Sequence, residues 1–471
     1  MTQKNTPFNV VRSELRTPHV SRRHFIYTTV LAASALAGSL PVYARRPNFK
    51  SPNEKLDIAG IGTGGRADAD LNGVSGENIV ALCDVDSNNL ANALKKYPGA
   101  RTYSDYRVML EKEKSIDAVT VAVPDHHHAP AAMRAMAAGK HVYVEKPLTH
   151  TVWEARQMTL AARKYGVATQ MGNQGHSGEG IRQLCEMIWS GAIGTVAEVH
   201  CWTDRAKGWW TQGVRRPAGS DPVPSYLNWD NWIGAAPERP YLHDWPKDLQ
   251  TQFTKAVYHP QAWRGWWDFG CGALGDMACH LMDCPQWALD LGAPSTVEVV
   301  SSSEMVPEMP PLQSVLRYTF PGRGKLPPCT LTWYDSGQKP PKPPEMEAAE
   351  LQDNGSLFIG DKGKIFAGVY GEKPRLLPES SMADYKRPAQ TIPRVPGNEP
   401  HLDWIRACKG GPKACSNFDI SGPFTEWVLL GNLALRLNKK LEWDSKKLRV
   451  KNVPEAEEYI RKSYRRGWEI S

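Results

Sequence analysis

The sequence has no Cys-x-x-Cys pair, and its nine cysteines are an odd number. Neither a disulfide framework nor a cysteine zinc site is indicated. No cysteine precedes Cys83, which argues against a lipoprotein anchor. There is no internal repeat. The most continuous apolar run near the start, Phe25 to Leu40, is broken by Thr, Ser and Gly and is short for a membrane span. Excess charge is missing from most of the chain as well. The formal net charge is +7, and residues 1–50 hold eight Lys/Arg against one acid. The remainder carries 49 of each sign (57 less 8, and 50 less 1), so no basic footprint is left for nucleic acid.

That basic beginning has the anatomy of an export signal. Ser21-Arg22-Arg23-His24-Phe25 is similar to the twin-arginine consensus, and Val42-Tyr43-Ala44 offers a small-residue cleavage site. The expectation is a twin-arginine signal at 1–44, a linker at 45–54, engagement of the twin-arginine export machinery, and a periplasmic protein with no stable membrane span after cleavage. The alternative is an uncleaved anchor. The twin-arginine route carries proteins that are already folded, which suits buried, reduced thiols and a preloaded nucleotide.

A chain of 471 residues is long for one core, so two domains are expected. Residues 55–172 alternate β-rich runs (Asp57–Ile61, Ile79–Cys83, Ala118–Val123, His141–Val144, Val167–Gln170) with helical patterns such as Asn88–Lys96 and Ala129–Ala138. This predicts a parallel, doubly wound α/β Rossmann domain. Thr151 and Glu154 have the spacing of a capping box. Residues 173–471 read as an α+β domain with an open, mostly antiparallel sheet. Its strand candidates are Val196–Trp202, Val297–Ser301, Ser314–Phe320 and Cys329–Tyr334, and its helices lie near Ile181–Trp189 and Ala273–Asp290. Residues 204–267 look like long functional loops, and 338–344 an exposed Pro-rich segment. The stretch from His401 onward reads as helices that pack back on the first domain.

Chemistry-bearing residues cluster in three places. After the first strand, Gly60, Gly62 and Gly65 fill the positions of G-x-G-x-x-G. In that motif the first allows the turn, the second lets a pyrophosphate approach, and the third lets helix and strand pack. Asp84 follows Gly60 by 24 positions at the end of the second strand, near the spacing of about 20 for a ribose-binding carboxylate. Such a carboxylate repels a 2′-phosphate, so NAD is favoured over NADP. The cofactor is expected against Gly60, Gly62, Thr63, Gly64, Gly65, Arg66 and Asp84.

The second place is Glu145-Lys146-Pro147, at the carboxyl end of the fifth strand, where open α/β sheets bind ligands. The third is Asp268 to His280, in which Asp276 and His280 stand i, i+4. That spacing predicts a carboxylate holding the imidazole of a general base. The consecutive His126, His127 and His128 point different ways, so no metal site is expected. Nine of the 17 tryptophans fall between Trp202 and Trp267. Most are expected in the core; some would form platforms for sugar rings, with Asp204, Arg205 and Arg264 as hydrogen-bonding neighbours.

Together, Gly60–Arg66, Asp84, Glu145-Lys146-Pro147 and Asp276…His280 resemble the glucose–fructose oxidoreductase, inositol dehydrogenase and MocA (Gfo/Idh/MocA) family, from Lys55 to the terminal Trp468. The resemblance implies catalytic roles for Lys146, Asp276 and His280. It places Pro124 and His128 of a P-x-x-x-H loop, and Glu145, near the cofactor. Met171-Gly172-Asn173-Gln174-Gly175-His176-Ser177 resembles an exported bacterial sub-branch. That implies Asn173 and Gln174 at the cofactor and His176 at the substrate. It implies an NAD-dependent oxidoreductase acting on a sugar, glycoside or cyclitol, and a homo-oligomer. Two alternatives stay open: a redox-neutral NAD-dependent glycosidase or lyase working through a keto-sugar, and a non-catalytic sugar-binding module.

Overall fold

The computed structural model describes residues 50–470, Pro52 excepted. The expected signal at 1–44, most of the linker, and Ser471 lie outside the described residues.

The first sheet has six strands, all parallel: β1 (Asp57–Ile61), β2 (Asn78–Cys83), β3 (Arg101–Tyr103), β4 (Ala118–Val121), β5 (His141–Val144) and β6 (Thr169–Met171), in the order β3-β2-β1-β4-β5-β6. β4 and β5 are buried at every position because helices cover both faces. The strand order reverses between β1 and β4, so the turn after β1 opens into a crevice at the strands' carboxyl ends. α1 (Arg66–Gly73) follows that turn. α2 (Ser87–Lys96) is capped by Asp86, whose carboxylate accepts from the amides of Asn88 and Asn89. α3 (Tyr106–Lys112) and α4 (His128–Ala137) precede β4 and β5. α5 (Val152–Tyr165) opens on the predicted Thr151/Glu154 capping box and closes at Gly166, with φ +63°. β3 escaped the sequence reading: three residues with no buried member carry no apolar period.

α6 (Glu179–Trp189) leads into the second sheet. Its strands are β7 (Val196–Trp202), β8 (Thr296–Ser302), β9 (Ser314–Phe320), β10 (Cys329–Tyr334), β11 (Gly355–Gly360), β12 (Gly363–Ala367), β13 (Arg375–Leu377), β14 (Leu441–Asp444) and β15 (Arg449–Val450). The order is β13-β12-β11-β7-β10-β9-β8-β14-β15, antiparallel except for β7 with β10. Four of the nine were expected. The others are short and glycine-bounded, or lie in the C-terminal part read as helical. That part is corrected: helices α7 (Pro400–Cys408) and α8 (Phe418–Leu437) are followed by β14 and β15.

α8 packs across α5 at close range. A Cβ on Gly422 would lie 1.9 Å from Thr159 Oγ1, so glycine is required there. Arg156 and Glu426 pair beside it at 2.6 Å. At the end of the chain, Trp468 lies under the Arg107 guanidinium, 3.7 Å from its ring centre, and edge-on to His127 and Tyr106 of the first sheet's layer. The long segment 203–267 builds its own aromatic core around Trp232, Trp245, Tyr258 and Trp266. It then reaches back to the first sheet: Asn228 donates to Val85 O (2.9 Å) and Ser87 to Tyr226 O (2.8 Å). All nine cysteines are free thiols. No helix among the described residues is long and apolar enough to cross a membrane.

Candidate active site

Between the carboxyl ends of the first sheet and the segment 203–267 lies a cleft of about 700 Å³. Its floor is the glycine turn. A Cβ on Gly62 would sit 2.1 Å from Ala122 O, and φ there is +89°, so only glycine lets β1 turn against β4. Gly60 is pressed by Leu71, 2.9 Å from a hypothetical Cβ. Gly65 was expected to provide the close packing; instead nothing lies within 4 Å of a Cβ there, and its φ of +57° is the reason for glycine. Packing falls to Gly60, while open space lies over Gly65. No side chain caps α1, so its first N–H groups are left for an anion. These features fit a dinucleotide's pyrophosphate.

Asp84 ties the turn to β2. One carboxylate oxygen accepts from Thr63 N and Thr63 Oγ1, both at 2.9 Å, and the other from Asp86 N at 2.9 Å. Burial raises its pKa, against these hydrogen bonds. Beyond it, Asp86 meets His259 of the long segment at 2.9 Å. Arg66 bridges Glu145 (2.8 Å) and Asp70 (3.0 Å), and Asp70 also meets His401 of α7 at 3.0 Å. Burial pushes both carboxyls up to about 7.

The far end of the cleft holds the charged cluster. Lys146 Nζ donates to Asp276 Oδ1 (2.9 Å) and to the Asp276 carbonyl (2.8 Å). Arg264 Nε lies 3.3 Å from the same carboxylate and Arg205 Nε 4.0 Å from its other oxygen. Burial works against ionising Asp276, but Lys146 and Arg264 hold its carboxyl well below the usual range. The expected Asp276–His280 bond does not form. Residues Leu274–Ala278 make a π-helical turn, which breaks the i, i+4 phase of an α-helix, and the carboxylate goes to the cations. His280 is left with Nδ1 unpaired, edge-on to Tyr370 at 5.0 Å. Burial, then the Lys146 charge, depresses its pKa well below 6.5, so the imidazole is neutral. An unpaired buried polar group costs ~1–3 kcal/mol, which marks this one as open to a ligand.

Several expected residues are placed elsewhere. His176 is corrected: its Nδ1 meets Asp283 at 2.9 Å, its ring stacks on Trp287, and it does not line the cleft. Asn173 is corrected too, since it donates to Asp283 (3.1 Å) and accepts from Ser416 (2.6 Å). Gln174 does line the cleft. Asp204 pairs with Arg205 and Trp209 behind the cleft wall, while Arg205 and Arg264 face the cavity over Trp209 and Trp263. Pro124 and His128 line the cleft, yet both His128 nitrogens lie against the carbonyls of Pro147 and Val123, so it braces the Lys146 turn. Both nitrogens of His126 and Nε2 of His127 likewise lie against backbone carbonyls, while His127 Nδ1 has no partner among the described residues. Among the described residues no group of His, Cys, Asp or Glu is placed to hold a metal ion.

The sequence reading missed His259, Gln261 and Tyr370 on the cleft wall, and Asp125, whose carboxylate accepts from Cys271 N at 3.0 Å. Asp125 carried a signal, standing inside the P-x-x-x-H loop. The others sit in loops with no local pattern.

Comparison with known proteins agrees with this geometry. Residues 55–173 match an oxidoreductase family described by its NAD-binding Rossmann fold, and residues 178–308 match the same family's C-terminal alpha/beta domain. The chain belongs to the Gfo/Idh/MocA oxidoreductase family. Inositol 2-dehydrogenase of Salmonella typhimurium is 34% identical over 150 residues, 31% of this chain and 44% of that protein. Levoglucosan dehydrogenase of Pseudarthrobacter phenanthrenivorans is 26% identical over 228 residues, 48% of this chain and 45% of that protein. The chain thus matches under half the length of these Gfo/Idh/MocA relatives. Among solved structures, the WlbA dehydrogenase of Bordetella pertussis, in complex with NADH and UDP-GlcNAcA, superposes with a TM-score of 0.57. It covers 83% of this chain and 99% of that one at 16% identity, a likeness of fold.

Proposed function

We propose that this Gfo/Idh/MocA protein is an NAD-dependent oxidoreductase that transfers hydride between a carbinol C–H of a sugar, glycoside or cyclitol and a tightly held nicotinamide. The observation that carries this reading is the single cleft in which the glycine turn and Asp84 lie at one end and Lys146, Asp276 and His280 at the other. Relatives named as inositol and levoglucosan dehydrogenases support the substrate class.

When bound, NAD supplies the hydride acceptor. Asp84, which holds Thr63, would hold the ribose hydroxyls of the bound nucleotide, and its charge disfavours a 2′-phosphate. The neutral His280 takes the substrate hydroxyl proton. Lys146 Nζ donates to the same oxygen as charge develops on it, and Asp276 keeps that ammonium in place. Arg205, Arg264 and Trp263 bind the remaining hydroxyls and the ring, while Trp209, stacked between Arg205 and Phe253, holds Arg205 in place. Asp276 is therefore a positioning residue for Lys146.

The proposal extends to export. The Arg22-Arg23 motif and the Ala44 cleavage site support a twin-arginine signal and a periplasmic location. Assembly as a homo-oligomer rests on the family resemblance. An exported protein has little free NAD around it, so the nucleotide travels bound and turns over in place. The test is to denature dialysed protein purified without added NAD, quantify nucleotide per chain, and screen glycosides and cyclitols by mass spectrometry for loss of two hydrogens. Nucleotide near one per chain with an oxidised product is expected. Release of an aglycone without net oxidation would replace this reading with the redox-neutral one, and absence of both nucleotide and product would overturn it.

A further inference from the structure

A second cavity, of about 240 Å³, lies between α8, the Trp267–Cys271 stretch and the C-terminal tail, and shares no lining residue with the cleft. We propose that it binds a small organic carboxylate through Arg436, with the ligand's apolar body against Trp267, Leu429 and Leu433. This goes beyond the oxidoreductase reading and does not rest on it.

Arg436 projects from α8 into the cavity, its guanidinium carbon 5.0 Å from the centre of the Trp267 ring and 4.5 Å from that of Tyr459. It makes no hydrogen bond or ion pair with any described residue. The five N–H donors of this half-buried group thus have no partner in the protein, and burial lowers its pKa. The neighbouring Lys462 and Asp268 are already engaged, and Glu458, the other charge on the lining, is exposed to solvent. Lys462 donates to His126 O (3.2 Å), meets His150 Nδ1 (3.1 Å) and pairs with Glu154 (3.0 Å). Asp268 lines the cavity too but is taken by Arg239. What remains is one uncompensated guanidinium beside indole and leucine walls.

A carboxylate matches the guanidinium fork with two parallel hydrogen bonds. A phosphate dianion does not fit the same walls. Only one unpaired cation is present, and apolar surface cannot replace water around its remaining oxygens.

The experiment is titration calorimetry on the full-length protein with benzoate, benzyl alcohol and inorganic phosphate as separate probes. Two variants accompany the wild type. Arg436→Gln removes the charge; Ser463→Trp, at an exposed position on the cavity lining, keeps the guanidinium and plugs the space. Benzoate is expected to bind wild type, and both variants to bind it at least about tenfold more weakly, the loss of a bidentate charged pair. Benzyl alcohol and phosphate are expected to bind more weakly than benzoate. Should Arg436→Gln fail to fold, Ser463→Trp alone decides, because it leaves the buried residues in place. Absence of benzoate binding to wild type, equal binding by the folded variants, or a preference for benzyl alcohol or phosphate would overturn the site.

Discussion

Two histidine–aspartate groups stand near the junction of the two sheets, and they have opposite fates. His176 is closed: Asp283 takes its Nδ1, Asn173 shares that carboxylate, and Trp287 stacks on the ring. His280 is open: its Nδ1 has no partner, and the aspartate four residues earlier is turned to Lys146. Residue type does not separate them, and spacing misleads: the pair four residues apart parts, and the pair 107 residues apart joins. What separates them is whether the hydrogen-bonding capacity is already spent inside the fold. A satisfied group stabilises, and an unsatisfied one on a cleft wall is available to substrate.

The sharpest way to break that contrast is truncation on each side. His280→Ala and Lys146→Ala should each lower turnover about a hundredfold or more while nucleotide stays bound. His176→Ala should instead lower stability by ~1–3 kcal/mol, with turnover per folded molecule little changed. Thermal melting and turnover on the same preparations decide it. If His176→Ala loses turnover as His280→Ala does, at unchanged melting temperature, the contrast is wrong.

Next in size is Asp84→Arg, which removes the ribose acceptor and its two bonds to Thr63. NAD affinity should fall by tenfold or more, on the order of two hydrogen bonds, with the preference moving toward NADP. Unchanged NAD affinity would move the ribose away from Asp84.

Asp276→Asn should cost about tenfold in turnover, less than losing Lys146, because the lysine keeps an oxygen partner but loses the charge that holds it. It should leave the affinity for NAD unchanged. A loss as large as that of Lys146→Ala would show the carboxylate itself reaching substrate.

The smallest effect is in the pH profile. Burial and the Lys146 charge both disfavour protonated His280, so its pKa lies below 6.5. The base then stays neutral as pH falls through 6.5, and kcat/KM should decline only at lower pH. In the Lys146→Met enzyme the acid limb should move up. An acid limb above 6.5 in the unmodified enzyme would assign it to another group.

Local signals marked the first sheet well. Asp57–Ile61 and His141–Val144 are strands to the residue, because buried parallel strands are apolar runs bounded by turn residues. The Thr151 cap and the glycine turn were equally legible, since each is specified by neighbours within a few positions. Gly65 shows the limit even there. The residue was foreseen, but the cause was its backbone angle and not its packing.

The substrate side reads differently. His259 and Tyr370 reach one cavity from loops far apart in the chain, and no periodicity encodes that meeting. Among the missed strands, β11 pairs with the distant β7 and β14 with the distant β8, while β13 and β15 are only three and two residues long.

The amino-acid order alone was enough to specify the nucleotide-binding turn, the acid at the second strand and the candidate lysine and histidine, because hydrogen bonds and steric limits within a few residues dictate them. Which carboxylate serves which cation or imidazole was decided only in three dimensions. The π-turn at Leu274–Ala278 swung Asp276 to Lys146, and Asp283 captured His176. Buried charges and donors settle with whichever partner the packed chain brings within about 3 Å, and sequence spacing does not measure that distance.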